Sequence, residues 1–329
     1  MTMTPRIVVY RTDEISDELW TQIVDGFNEA FDLHSTVEGF KHGWYVANPW
    51  GYAFHAMAFA DDGDLMAYNV FTPAQYENGI KVVVSGSTFV RKKYRKNVML
   101  FGLLIKALRK RCADEGFDLE VGVPNHNSLK YHFKVNKVSL VKDLTYYLLP
   151  INLSKTAGKS LPGVVDSLWA LCLKLHLAVN VALSRIVNTR ERQRPYSIAT
   201  DEAFYSTRFK SKDYTSMVTD NGDRIVYRVY PEDGKRVAYL MDFRSNGHKT
   251  YRTLVDACRY IIGHERVDAI LYVGFMHLGQ GLMVKLPKQM VPKRLPLTCY
   301  VLNKEDQGRF EGITNPDNWN FSLMSFDVR

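Results

Sequence analysis

Ser87-Thr88-Phe89-Val90-Arg91-Lys92-Lys93-Tyr94-Arg95-Lys96-Asn97-Val98-Met99-Leu100-Phe101-Gly102-Leu103-Leu104 is the stretch that decides the fold. Its first residues close an apolar, β-branched run that begins at Ile80, the composition of a strand. Arg91, Lys92, Lys93, Arg95 and Lys96 then make a basic loop. From Val98 the apolar spacing becomes that of an amphipathic helix, which runs to Glu115 and is stopped by Gly116. A helix start exposes unpaired backbone N–H groups and the positive end of the helix dipole. Set beside a basic loop, that arrangement binds phosphate.

Strands and helices continue on both sides. Upstream, Arg6–Tyr10 reads as a strand, and Asp17 stands as the cap of a helix over Leu19–Phe31. A short helix is expected from Val37 to Val46, ending ahead of Asn48-Pro49. Tyr52–Phe59, Leu65–Thr72 and Ile80–Val90 form three antiparallel strands, joined at Asp61-Asp62-Gly63-Asp64 and at Asn78-Gly79. Downstream, Leu119–Val123 is a short buried strand and Asn127 is expected to cap a helix through Lys134. Ser139–Ile151 reads as a strand pair or one bent strand. The fold class is therefore α/β of the α+β kind, a mixed sheet with helices on both faces.

The second half repeats this order. Asp233-Gly234-Lys235-Arg236-Val237-Ala238-Tyr239 parallels Asp62-Gly63-Asp64-Leu65-Met66-Ala67-Tyr68. The helix Tyr251–Ile262 leads to Asp268–Gly274 as the earlier helix leads to Asp118–Gly122. Ser154–Ser160 is small and polar, and an apolar helical stretch, 161–187, follows it. The expected organisation is a domain over 1–152, a helical linker over 153–195 and a second, degenerate copy over 196–329. A chain of 329 residues is long enough for two cores of about 150 residues each.

Composition bounds the function. At 46% hydrophobic and 24% charged residues, the chain is globular rather than disordered, collagenous or coiled-coil. The net charge of +8 is concentrated, because Arg91–Arg111 holds nine Lys or Arg and no acid. Such a field attracts a polyanion: nucleic acid, anionic lipid or a phosphate-bearing ligand. Cys112, Cys172, Cys258 and Cys299 lie far apart, which argues against a disulfide framework or zinc knuckle and fits a reducing cytoplasm. His34, His42 and His55 lack metal-ligand spacing, so no metal is expected. Lys174, His176 and Arg185 interrupt 161–187, which reads as buried or interfacial helix rather than a membrane span.

The central stretch resembles the GNAT superfamily of acyl-CoA N-acyltransferases. Val90 ending a strand, Tyr94-Arg95, and Leu103-Leu104 in the helix stand where that family's motif puts them. Val123-Pro124-Asn125-His126-Asn127-Ser128 resembles its later strand end and Asn-containing turn. The resemblance covers residues 6–150, and the remainder looks like a second GNAT-like copy. Trp319-Asn320-Phe321 and Asp327-Val328 are similar to segments of tandem acetyltransferases of bacterial surface-polysaccharide synthesis. The family's phosphate loop places Gly and Gly or Ala where this chain has Val98 and Leu100.

The resemblance implies acetyl-CoA as co-substrate and transfer of its acetyl group to an amine, with an amino sugar on a nucleotide or lipid carrier as the expected acceptor. The implied cofactor residues are Phe89, Val90, Arg95, Lys96, Asn97, Val98, Met99, Leu100, Asn125 and Ser128. Backbone N–H groups near Phe89 and Val90 would polarise the thioester carbonyl. Tyr131 or His132 would protonate the departing thiolate, either being a competent acid. Glu120 is the best-placed candidate base, though its alternation with Leu119 and Val121 fits the polar face of a half-buried strand better than catalysis. His42, Trp44, Tyr45 and Trp50 are candidates for an acceptor pocket, and Asp242 and Arg244 for a further contact. No specific nucleic acid is expected, and 161–187 is the candidate peripheral contact. Two alternatives stand beside this reading: a non-catalytic GNAT-like binding module, and a tRNA-dependent aminoacyltransferase.

Overall fold

A computed structural model describes residues 5–41, 45, 48–158, 162–187, 194–210, 213–247 and 249–326. The elements in chain order are β1 Arg6–Arg11, α1 Asp17–Phe31, α2 Val37–Lys41, β2 Phe54–Phe59, β3 Leu65–Gln75, β4 Lys81–Val90, α3 Leu100–Asp114, β5 Leu119–Gly122, α4 His126–Lys134 and β6 Ser139–Asp143. They continue as β7 Thr145–Pro150, α5 Leu153–Ala157, α6 Gly163–Ile186, β8 Tyr196–Ser197, α7 Glu202–Arg208, β9 Tyr214–Val218, β10 Arg224–Glu232, β11 Lys235–Arg244, α8 Thr250–His264, β12 Ala269–Gly274, β13 Val284–Lys285 and β14 Pro296–Val301.

Two compact units result, and neither is a continuous stretch. One takes residues 1–143, 195–208 and 294–318; the other takes 144–194, 209–293 and 319–329. This departs from the expected consecutive blocks 1–152, 153–195 and 196–329. The sheets give the physical reason. Sheet order in the first unit is β1-β2-β3-β4-β5-β14-β6, so a strand from residues 296–301 fills the place between β5 and β6. In the second unit the order is β13-β7-β12-β11-β10-β9, and β7 fills the matching place between β12 and β13. Ser139–Ile151 is therefore two strands that enter different sheets.

In the first unit both sheet faces are covered. On one, Trp20, Ile23 and Phe27 of α1 pack against Met57, Tyr68, Val70 and Phe89. On the other, Leu100, Leu104 and Leu108 of α3 pack over Ala56, Ala58, Ala67 and Phe54, the alanines letting the helix lie close. Each fully buried large apolar side chain contributes about 1.5–3 kcal/mol. Gly26 of α1 lies directly against the Phe89 ring, where a Cβ would collide with it.

Several local details differ from the sequence reading. The cap of α1 is Ser16, whose extended backbone lets Oγ accept from the Leu19 N–H at 3.3 Å, while Asp17 joins the first turn. Asn125, not Asn127, caps α4 for the same reason. Part of the supposed linker is the helix α5, capped by Asn152 and closed by Gly158 at φ 65°. In the second unit, β11 leads into α8 and then into β12, which pairs parallel to β11. The turn at Asp233-Gly234 thus corresponds to Asn78-Gly79 before β4, one hairpin later than the match with Asp62-Gly63.

Candidate active site

β4 and β5 pair in parallel only at Val82–Leu119, Val83–Glu120 and Val84–Val121. From Ser85 onward β4 stays hydrogen-bonded to β3, while β5 ends at Gly122 and turns into α4. The two strands therefore diverge. Arg91 N–H is bonded to the Met66 carbonyl on β3. Strand alternation then turns the Val90 backbone groups, not those of Phe89, toward the open side. The Val90 carbonyl accepts from Arg95 Nε at 3.2 Å. Phe89 has its ring in the core, stacked on Tyr68 at 5.5 Å between centroids.

The basic loop divides into cations held in ion pairs and cations whose side chains are exposed. Arg91 bridges Glu29 and Asp64, each at 3.0 Å, and Lys93 reaches Asp64 at 2.8 Å. Tyr94 OH donates to the same Asp64 at 2.9 Å. The Lys92 N–H donates to Glu29 at 2.8 Å, and this bond, with Arg91 beside it, holds the Glu29 carboxyl below its ordinary pKa. Burial alone would raise Asp64, but its bonds from Lys93 and Tyr94 and the Arg91 charge bring it below the usual value. The loop is thus clamped to α1 and to the β2–β3 turn. The side chains of Lys92, Arg95 and Lys96 remain exposed. Glu29 and Asp64 were invisible as partners in the sequence, standing 62 and 27 residues from Arg91.

The start of α3 opens onto this basic edge. Met99 is its N-terminal boundary residue and makes no side-chain cap. Asn97 Oδ1 accepts from the Met99 N–H at 3.2 Å, shaping the turn. Val98 and Met99 are 58% and 60% exposed, whereas Leu100 is fully buried in the core under α3. Of the two positions where the family motif has small residues, only Val98 therefore presents a side chain to the loop's outer surface.

α4 forms the other wall. Asn125 Oδ1 accepts from the Ser128 N–H at 3.0 Å, and the Ser128 hydroxyl bonds the same oxygen at 3.1 Å. Both residues build the helix start beside the end of β5. Tyr131 is 37% exposed, with its ring edge-on to Phe101 of α3 at 6.2 Å. His132 is buried, and burial, helped by the Arg109 charge, lowers its pKa to about 4. The imidazole is therefore neutral near pH 7. Glu120 is buried on the α3 side, with Arg109 Nε at 2.5 Å. Burial raises its pKa against the lowering effect of Arg109. Arg109 also donates to the Asn136 carbonyl at 2.5 Å and lies 3.5 Å from the Tyr300 ring centroid. Glu120 belongs to this closed cluster, which sequence spacing could not show because Tyr300 comes from β14.

Other candidates lie apart. Tyr45 packs on Trp20 and His55 in the α1 core, and Trp50 on Phe117, while His42 and Trp44 lie outside the described residues. Asp242 and Arg244 pair with each other at 3.4 Å in the second unit. Trp319-Asn320 forms the short strand β15, and Asp327-Val328 lies outside the described residues. Among the described residues, no group of three His, Cys, Asp or Glu is placed to hold a metal.

A sheet whose fourth and fifth strands splay beside an uncapped crossover helix and a basic loop defines a class of fold, and solved structures share it. One is a GCN5-related N-acetyltransferase from Anabaena variabilis, with TM-score 0.57 and 9% identity, covering 91% of this chain and 73% of that one. Another is the GCN5-related N-acetyltransferase from Kribbella flavida, with TM-score 0.56 and 13% identity, covering 91% and 72%. A third is Eis1 from Mycobacterium abscessus, with TM-score 0.53 and 10% identity, covering 91% and 74%. No protein-family model and no curated protein matches the sequence. At these identities the likeness is one of fold: this chain has the fold of the GCN5-related N-acetyltransferases over nearly its whole length.

Proposed function

We propose that the protein is an acyl-CoA-dependent N-acyltransferase that moves an acetyl group from acetyl-CoA to a small amine. The observation that carries this reading is the divergence of β4 from β5 beyond Val84 and Val121, beside the uncapped start of α3. A thioester laid in that gap meets the Val90 N–H, the strand donor facing it, where negative charge develops on the carbonyl oxygen. Lys92, Arg95 and Lys96 and the first N–H groups of α3 hold the CoA phosphates. The amine attacks the thioester carbonyl, the N–C bond forms as the C–S bond breaks, the proton lost from nitrogen passes to solvent, and the thiolate takes a proton from a side-chain acid that solvent then reprotonates. Tyr131 is the better donor of the two candidates, because it is exposed beside Phe101 at the gap. A buried neutral imidazole such as His132 is a poor acid. An amino sugar on a nucleotide or lipid carrier is the acceptor class we favour, acted on in the cytoplasm.

The test is acetyl-CoA binding followed by thiol release with a panel of amines. Saturating acetyl-CoA at about 100 times Kd raises stability by about 2.7 kcal/mol, several degrees in Tm. Arg95→Ala weakens binding by about ten-fold, the loss of one charge-assisted contact. Tyr131→Phe lowers kcat and leaves the acetyl-CoA Kd unchanged. Absence of any shift at millimolar acetyl-CoA would place the chain among non-catalytic modules of this fold.

A further inference from the structure

α6 packs on the core of the second unit through Leu173, Leu177 and Val181, with several polar residues beside them, and carries a row of exposed apolar residues on its other side. On the inner side, Asp166 accepts from the Ser154 hydroxyl at 2.6 Å, and Trp169 Nε1 donates to the Pro150 carbonyl at 3.2 Å. His176 Nε2 lies 3.0 Å from the Leu282 carbonyl, and Asn180 accepts from Tyr251 OH. Leu173, Asn180 and Ser184 are the buried residues of the helix. On the opposite side Val164, Leu168, Leu171, Leu175 and Ile186 are 79%, 59%, 64%, 67% and 81% exposed. Val179 and Leu183 extend the row at about half exposure. Steps of three and four residues put these on one stripe along the 24-residue helix, about 36 Å long.

α6 is the described helix long and apolar enough to cross a bilayer. Its inner hydrogen bonds tie it sideways to the second unit, so it presents a face rather than a free rod. The charge beside the stripe identifies what that face meets. Lys174 and Arg185 are exposed along its edge, and Asp166, the acid of the helix, is held on the inner side. By sequence, residues 155–194 carry seven Lys or Arg against two acids, with Arg190, Arg192 and Arg194 following the helix. A second copy is a poorer match: twofold packing about the helix middle would bring two Lys174 ammonium groups together.

We infer that the outer face of α6 lies in the surface of a membrane containing anionic lipid, with Leu168, Leu171 and Leu175 in the acyl boundary and Lys174 and Arg185 at the headgroups. This does not rest on the acyltransferase reading.

Co-flotation of the full chain with vesicles tests it, using phosphatidylcholine alone and phosphatidylcholine with about a third phosphatidylglycerol. Binding to the anionic vesicles is expected to be about ten-fold tighter, and to weaken between about 0.1 M and 0.5 M NaCl. Leu171→Asn with Leu175→Asn abolishes flotation while Tm and the circular dichroism spectrum stay unchanged, since both side chains are exposed. Lys174→Glu with Arg185→Glu abolishes the preference for anionic vesicles. Three results overturn the inference: equal binding to both vesicle types, no binding to either, or a solution dimer that the leucine variants convert to monomer without any flotation. The last assigns the stripe to a second copy.

Discussion

Glu120 and Arg109 show how burial decides what a carboxylate does. Their side chains are 3% and 13% exposed and make a 2.5 Å ion pair. Removing one charge of such a pair leaves the other uncompensated, at a cost of about 3 kcal/mol. Glu120→Gln is therefore expected to lower stability by about that amount in urea unfolding, with acyl transfer by the folded fraction retained. A base at this position would give the reverse, a collapse of kcat at unchanged stability. His132 acts through pH. Its pKa is about 4 in the fold against 6.5 in the unfolded chain, so below pH 6.5 the unfolded chain binds the extra proton. The stability His132 contributes is present above pH 6.5 and lost as pH falls toward 4, with a slope of up to about 1.4 kcal/mol per unit. Glu120, raised by burial, acts with the opposite sign and is present in the wild type and in a His132 variant alike. His132→Leu is expected to flatten the fall between pH 6.5 and 4.5 by that slope, measured as unfolding free energy against pH.

Elements are positioned by a few close approaches. α1 reaches the end of β4 because Gly26 leaves room for the Phe89 ring. Gly26→Val overpacks that contact and is expected to cost about 1–3 kcal/mol. Phe89→Leu in the same chain is expected to restore part of it, which a double-mutant cycle of Tm values reads directly. The same packing holds Val90 at the mouth of the gap, so Gly26→Val is also expected to weaken the proposed acetyl-CoA binding. The basic loop depends on its clamps as much as on its charge. Arg91 and Lys93 are neutralised by Glu29 and Asp64, leaving Lys92, Arg95 and Lys96 for a ligand.

At the scale of the molecule, the exchange of β7 and β14 makes the two units interdependent in chain composition. A fragment ending at residue 152 has β6 but lacks β14, the strand between β5 and β6. It also lacks Tyr300, on which Arg109 stacks. Unpaired edges of β5 and β6 would then meet water or another chain. The fragment is expected to be insoluble or largely unfolded by circular dichroism, while the full chain unfolds cooperatively. A soluble fragment with native spectra would show that β6 can move over to pair with β5.

The sequence by itself determined the elements around the site. Apolar periodicity marked β4 and α3, turn residues marked the hairpins, and the basic run marked the loop between them, because these signals act over a few neighbouring residues. It also carried the repeat of helix and parallel strand in the second half. Tertiary structure decided which strand fills the place between β5 and β6, which of the loop's cations are ion-paired, and whether Glu120 and His132 are exposed. It also decided which side of α6 faces outward. These depend on partners tens to hundreds of residues away, and short-range spacing contains no record of them. Burial and pairing then set the surroundings in which each group would act: Glu120 is held by Arg109, and His132 is a buried imidazole kept neutral near pH 7.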